Sequence, residues 1–174
     1  MTQPTPDTAD LRSGSPINDA LLSLLPLVGV WRGAGTGLVP GTQTEFSYGQ
    51  QMTFVHDGRP FLAYEARSWL FDEDGAVMRQ AWRESGFWRV GAGDNVEAVI
   101  ASNTGQALVF AGLAGDQRWE LATTSAEHAP TAMTVSGERR LYALVDGALA
   151  YATELAVSGP YAPHLNARLE RQPV

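Results

Sequence analysis

The sequence contains no cysteine, and that excludes disulfide frameworks, thiolate metal sites and cysteine nucleophiles together. It also fits a reducing, cytoplasmic setting. Cations are scarce as well. With 12 Lys and Arg against 19 Asp and Glu, the net charge is −7 and no stretch gathers basic residues into a face. Nucleic acid is therefore not an expected partner, because neutralising many phosphates requires such a face. No apolar run approaches the roughly 18 residues of a membrane span. The start MTQPTPDTADLRSGSP lacks the basic and hydrophobic regions of a signal peptide, so no membrane association is expected. The chain has only 3 histidines, without H-x-x-x-H or H-E-x-x-H spacing, and a zinc site would lack partners. G-x-S-x-G is missing too, which leaves a serine triad without its usual elbow.

What is present is enough for one domain: 174 residues, 44% of them hydrophobic, suffice for a single core. Residues 1–14 are rich in Thr, Pro, Asp and Ser and read as a flexible tail, because they bury too little to offset the entropy of ordering. Residues 15–174 read as one domain. In SPINDALLSLLPL, Ser15 or Asn18 caps a short helix with Leu21, Leu22 and Leu25 as its apolar stripe, and Pro26 stops it.

From Val28 onward, short β-rich runs alternate with the turn signals HDGRP, DEDG, GAGDN, NTG, AGD, AEHAP, DG and SGP. This spacing predicts an all-β fold of about ten antiparallel strands. In LYALVDGALAYATELAV, Asp146-Gly147 suits a two-residue type I′ hairpin, since both positions need φ > 0. Counting outward, Leu144 pairs with Leu149, Tyr142 with Tyr151 and Arg139 with Glu154, which separates an apolar face from a charge-paired one. A single short helix cannot cover a wide sheet, so closure into a barrel is the expected way to protect its edges. A barrel of this size encloses a cavity, and ligand binding inside it is the default expectation.

GVWRGAGTG, residues 29–37, fits neither phosphate-binding glycine motif and opens no helix. Its glycines read instead as sites of bending or close backbone approach, with Trp31 plugging one barrel end. His56 in FVHDGRP and His128 in AEHAP read as solvated loop residues. His164, behind Pro160 and Pro163 in GPYAPHLNARLERQPV, sits on a stiffened backbone. Alternation sets it opposite Leu165, Ala167 and Leu169, so periodicity does not send it inward. A surface turn and a ligand role both remain compatible with that position. The one metal arrangement that needs a single protein ligand is haem, whose porphyrin supplies the other four nitrogens.

The segments GVWRGAG, TFVHDGRPFLAY, RESGFWRV, AVIASNTG and PHLNARLER resemble the nitrobindins, in the family's order, from about Leu22 to Arg171. The resemblance implies a ten-stranded antiparallel β-barrel, similar to lipocalins and fatty-acid-binding proteins, with one b-type haem near the mouth. It implies ferric iron ligated by the histidine of the P-H-L motif, here His164, with NO and related nitrogen oxides as ligands and isomerisation of peroxynitrite to nitrate as the activity. Thr42 and Leu155 match residues near the haem. Two positions depart from the family: Trp82 stands where many members have a distal histidine, and Met133 replaces a lysine of the APTAK pattern that faces the haem carboxylates. An alternative is a haem-free barrel carrying a small apolar ligand, with Trp82 filling the haem space. The oligomeric state, a homodimer included, has no signature in the chain.

Overall fold

A computed structural model describes residues 5–174. Ten strands follow one another: β1 (Gly29–Leu38), β2 (Glu45–Val55), β3 (Leu62–Phe71), β4 (Val77–Val90), β5 (Asn95–Ser102), β6 (Gln106–Gly115), β7 (Arg118–His128), β8 (Gly137–Val145), β9 (Ala148–Ala156) and β10 (Ala162–Gln172). Each pairs antiparallel with the next, and β1 pairs with β10 to close the barrel. No strand is left with an unpaired edge, the structural gain that closure provides.

Local sequence accounts for the pairing. Asp146 and Gly147 both take positive φ, 51° and 80°, and the hairpin register is Leu144 with Leu149, Tyr142 with Tyr151 and Arg139 with Glu154, as the turn chemistry requires. At Gly33 and Gly35 a Cβ would run into the carbonyl oxygens of Arg168 and Asn166 on β10. These two glycines let β1 and β10 approach closely where the barrel shuts.

The helix differs from expectation. Asp19–Leu27 is a 3₁₀ helix, not an α-helix, capped by the Asn18 side chain accepting from the Ala20 amide, and Pro26 lies inside it. With three residues per turn, its buried stripe is Leu21, Leu24 and Leu27, while Leu22 is 59% exposed. The helix seals the barrel end where β1 begins and β10 finishes. Trp31 Nε1 donates to Leu27 O and Trp119 Nε1 to Ser23 O, each at 2.8 Å, and Arg171 donates to the carbonyls of Pro26 and Val28. Trp31 is buried at this end, as expected.

Of the segment read as a flexible tail, residues 1–4 lie outside the described residues, and Thr8 forms an antiparallel bridge with His56. That bridge accompanies a correction. His56 is 1% exposed rather than solvated, and neither ring nitrogen has a partner among the described residues. His128 is also more than a loop residue, since its Nε2 accepts the Val135 amide at 3.1 Å. Among the described residues no helix is long and apolar enough to cross a membrane.

The interior is filled only over the helix-capped half. There Phe54, Tyr64, Trp88, Tyr142 and Tyr151 run ring to ring, with successive centroids 5.0–6.4 Å apart. Tilted and edge-on stacks of this kind add to what the buried area alone contributes. The other half holds a cavity.

Candidate functional site

The cavity opens at the end where β4, β8 and β10 begin and β1, β3 and β5 finish. Its volume is about 550 Å³, within the range of small-molecule and cofactor sites. Two strands bring side chains into it against their own alternation. On β10, Pro163 pairs with Glu154 and Leu165 with Thr153, so His164 is an extra residue in a β-bulge. A bulge re-aims its side chain, and His164 and Leu165 consequently both line the cavity although they are consecutive. Proline suits such a site because it has no amide to give the ladder. On β4, Arg67 pairs with Arg83 but Trp69 with Gln80, so Ala81 and Trp82 together oppose Ser68. This second bulge reverses the parity of the strand. Glu84 and Trp82 face inward on its C-terminal side, and Ala81 and Arg79 face inward on its N-terminal side.

His164 Nδ1 lies 2.9 Å from Leu38 O. A carbonyl can only accept, so Nδ1 carries the proton and the Nε2 lone pair is left for another partner. Burial is the main reason its pKa sits below the ordinary histidine value, with the Arg140 charge acting the same way and the Leu38 contact opposing. The imidazole is accordingly neutral at pH 7, the state in which it ligates metals.

Beneath the cavity lies a charged floor. Arg140 reaches Glu84 in two parallel bonds of 2.8 and 2.7 Å and Glu138 through Nη2 at 3.0 Å. Its Nε stands 3.0 Å from Glu138 Oε1 without the alignment of a hydrogen bond. The Tyr64 hydroxyl donates to Glu84 at 2.9 Å. One guanidinium thus serves two carboxylates, and they compete for it. Burial and the Glu84 charge push Glu138 up against the pull of Arg140. In Glu84 burial acts upward too, but Arg140 and Tyr64 outweigh it and hold the carboxylate below its usual range.

His164, Trp82, Met133 and Leu155 are brought together on the cavity lining. Trp82 packs on the wall against Tyr48 at 5.2 Å and Phe46 at 6.3 Å, and the 550 Å³ remains open beside it. Met133 stands at the rim, 46% exposed. Tyr151 and Thr153 are buried inside, as the inward setting of Leu155 requires. Thr42 is placed apart from the cavity lining: it sits in the turn after β1, its hydroxyl donating to Val39 O at 2.9 Å and accepting the Thr44 amide.

The sequence reading missed Arg79, Glu84, Glu138 and Arg140. For the last two a signal existed, because Glu138 and Arg140 share period-two parity with inward-facing Tyr142. The hairpin's inner face is therefore not purely apolar. Among the described residues no three His, Asp or Glu side chains gather to hold a metal ion, and a macrocycle that brings four nitrogens matches the single histidine here.

A closed β-barrel with a neutral histidine aimed into an apolar-walled cavity is a ligand-binding barrel of cofactor size. Residues 20–171 match the family model described as "THAP4-like, heme-binding beta-barrel domain", and the chain belongs to that family. It is similar to the peroxynitrite isomerase of Salinispora arenicola, at 45% identity over 97% of this chain and 88% of the relative. It resembles that of Streptomyces griseus at 46% identity over 97% and 92%, and a ferric nitrobindin-like protein of Nocardia farcinica at 43% over 95% and 72%. The crystal structure of Rv2717c from M. tuberculosis superimposes with a TM-score of 0.78 at 32% identity, covering 90% of this chain and 99% of that one.

Proposed function

We propose that the chain is a ferric haem-b protein which binds NO and isomerises peroxynitrite to nitrate, with His164 as the axial ligand and the residue on which activity depends. The observation that carries this reading is the His164 bulge, with Nδ1 tied to Leu38 O at 2.9 Å at the lip of a cavity of about 550 Å³. Holding the second ring nitrogen with a backbone acceptor is how proteins fix the tautomer and orientation of a ligating histidine. The residues present fit the group: one neutral imidazole, apolar walls and a rim open to solvent.

When bound, ferric haem supplies an electrophilic iron centre at which a nitrogen oxide or peroxynitrite can bind. The chain's own residues do the rest. His164 gives its Nε2 lone pair, and the Leu38 carbonyl keeps the ring from turning. Phe46, Leu70, Trp82, Leu108 and Leu155 line the space and exclude water, which keeps reactive fragments from escaping or hydrolysing. Trp82 has no acceptor nitrogen. It therefore contributes bulk and an N–H but no proton acceptor. The lack of cysteine suits a protein meant to meet oxidants in the cytoplasm.

Two measurements test this. Ferric haem titrated into the purified protein should give a saturable one-to-one Soret change. Stopped-flow peroxynitrite decay should then be faster, with a higher nitrate yield, in the haem-loaded protein than in the haem-free one. Loaded protein that leaves nitrate yield unchanged contradicts the activity; a linear, unsaturated titration contradicts the cofactor and favours an apolar carrier.

A further inference from the structure

We propose that Arg79 is the counter-cation for the anionic edge of the cavity's ligand, which on the haem reading above, on which this rests, is a porphyrin carboxylate. The bulge at Ala81 and Trp82 is the first reason. Uninterrupted alternation from Glu84 and Trp82 would send residue 79 outward, yet the extra residue pairs Arg79 with cavity-lining Leu70 and puts it on the lining itself. Bulges placed beside sites commonly serve to re-aim a side chain in this way.

Charge is the second reason. Of the described residues that line the cavity, Arg79 is the only arginine or lysine, and none of the ion pairs among the described residues includes it. Its one polar contact, to Gln80 O at 3.5 Å, is too long to hold it. Other polar groups of the rim are already engaged. Ser102 and Thr104 share a 2.7 Å bond, Thr104 donates to Gln106 at 2.6 Å, and Gln106 donates to Met133 O at 2.9 Å.

The cavity is also polarised along its depth. On the floor Arg140 is taken up by Glu84 and Glu138, while Arg79 stands at the mouth outside every ion pair of the described residues, so the cation free to meet an anionic group is at the rim. A flat ligand with carboxylates on one edge would therefore enter with that edge outward. Met133 offers no charge at its rim position, which leaves Arg79 to supply the charge-assisted contact.

The test compares ferric haem with its dimethyl ester, in which both carboxylates are neutral, as Soret titrations of the wild-type protein, Arg79→Met and Arg79→Lys. Arg79→Met should weaken ferric haem roughly tenfold, leave the dimethyl ester within about twofold, and be largely rescued by Arg79→Lys at low salt. Equal loss on both porphyrins, or no loss on ferric haem, overturns the assignment while leaving the haem reading intact. Wild-type protein that takes up neither porphyrin overturns both. Arg79 is exposed, so the variants should unfold at the same urea concentration as wild type, and this control shows that any loss is not a folding defect.

Discussion

The two ends of this barrel are built by different rules. At the helix-capped end the strands alternate without interruption, and apart from His56 the buried positions are aromatic or aliphatic. Trp88, Phe54, Tyr142 and Trp31 are all within 1% of full burial. At the open end β4 and β10 are bulged, the lining mixes apolar with ionisable groups, and about 550 Å³ is left unfilled. One end provides stability, and the other trades packing for a site. The Arg140, Glu84 and Glu138 floor marks the boundary between them.

The largest effect expected from this division is in packing. Trp88→Ala should cost about 3–5 kcal/mol in urea unfolding, as for large-to-small changes in a filled core. Trp82→Ala, on a cavity wall with open space beside it, should cost about half that or less, since no tightly packed neighbours are lost on its open side. Equal losses would erase the distinction between the ends.

The boundary gives the next contrast. Arg140→Met leaves two carboxylates buried without their cation and should also destabilise by about 3–5 kcal/mol. The triple change Arg140→Met with Glu84→Gln and Glu138→Gln should recover much of that loss, because it removes the unpaired charges along with the ion pair. A triple variant no more stable than the single one would show that the network's shape matters more than its charge.

A smaller effect concerns pH. Glu138 has a folded pKa above the ordinary 4.5 because of burial first and the Glu84 charge second. Between 4.5 and that higher value the folded protein holds a proton that the unfolded chain has released. Stability therefore falls as pH rises through this window, with a slope of at most about 1.4 kcal/mol per pH unit for one proton. Glu138→Gln should flatten the curve of urea midpoint against pH there. An unaltered slope would remove Glu138 as its source.

The same contrast explains what could be read in advance. The hairpin at Asp146-Gly147 was legible to the residue, because turn chemistry fixes register and both strands beside it alternate cleanly. Strand number follows from turn spacing, and closure from the sheet edges that one short helix cannot cover. The helix was legible as an element, but its stripe was not: the α-helical period selects Leu25 where the 3₁₀ period buries Leu24 and Leu27. His164 shows the limit most clearly. Alternation counts it outward, the bulge turns it inward, and a bulge has no reliable sequence signature beyond a hint such as Pro163. Only the family motif pointed to that residue. Arg79 was missed for the same reason, since a one-residue slip in β4 reverses every prediction of side beyond it. Glu138 and Arg140 lie on the inward parity of Tyr142, but an unpaired charge is not expected to face a core, so parity alone does not single them out. The Glu84 partner of Arg140 sits 56 residues away, on a strand whose pairing no local pattern discloses.

The central claim is that a bulge at residue 164 aims a neutral imidazole at a macrocycle in the open end. It is tested most directly by ferric-haem titration of His164→Gly with and without added imidazole. The variant should fold with near wild-type urea stability, lose the wild-type Soret band, and regain it when free imidazole occupies the vacated position. A variant that binds ferric haem with an unshifted Soret band and unchanged affinity without imidazole would contradict it.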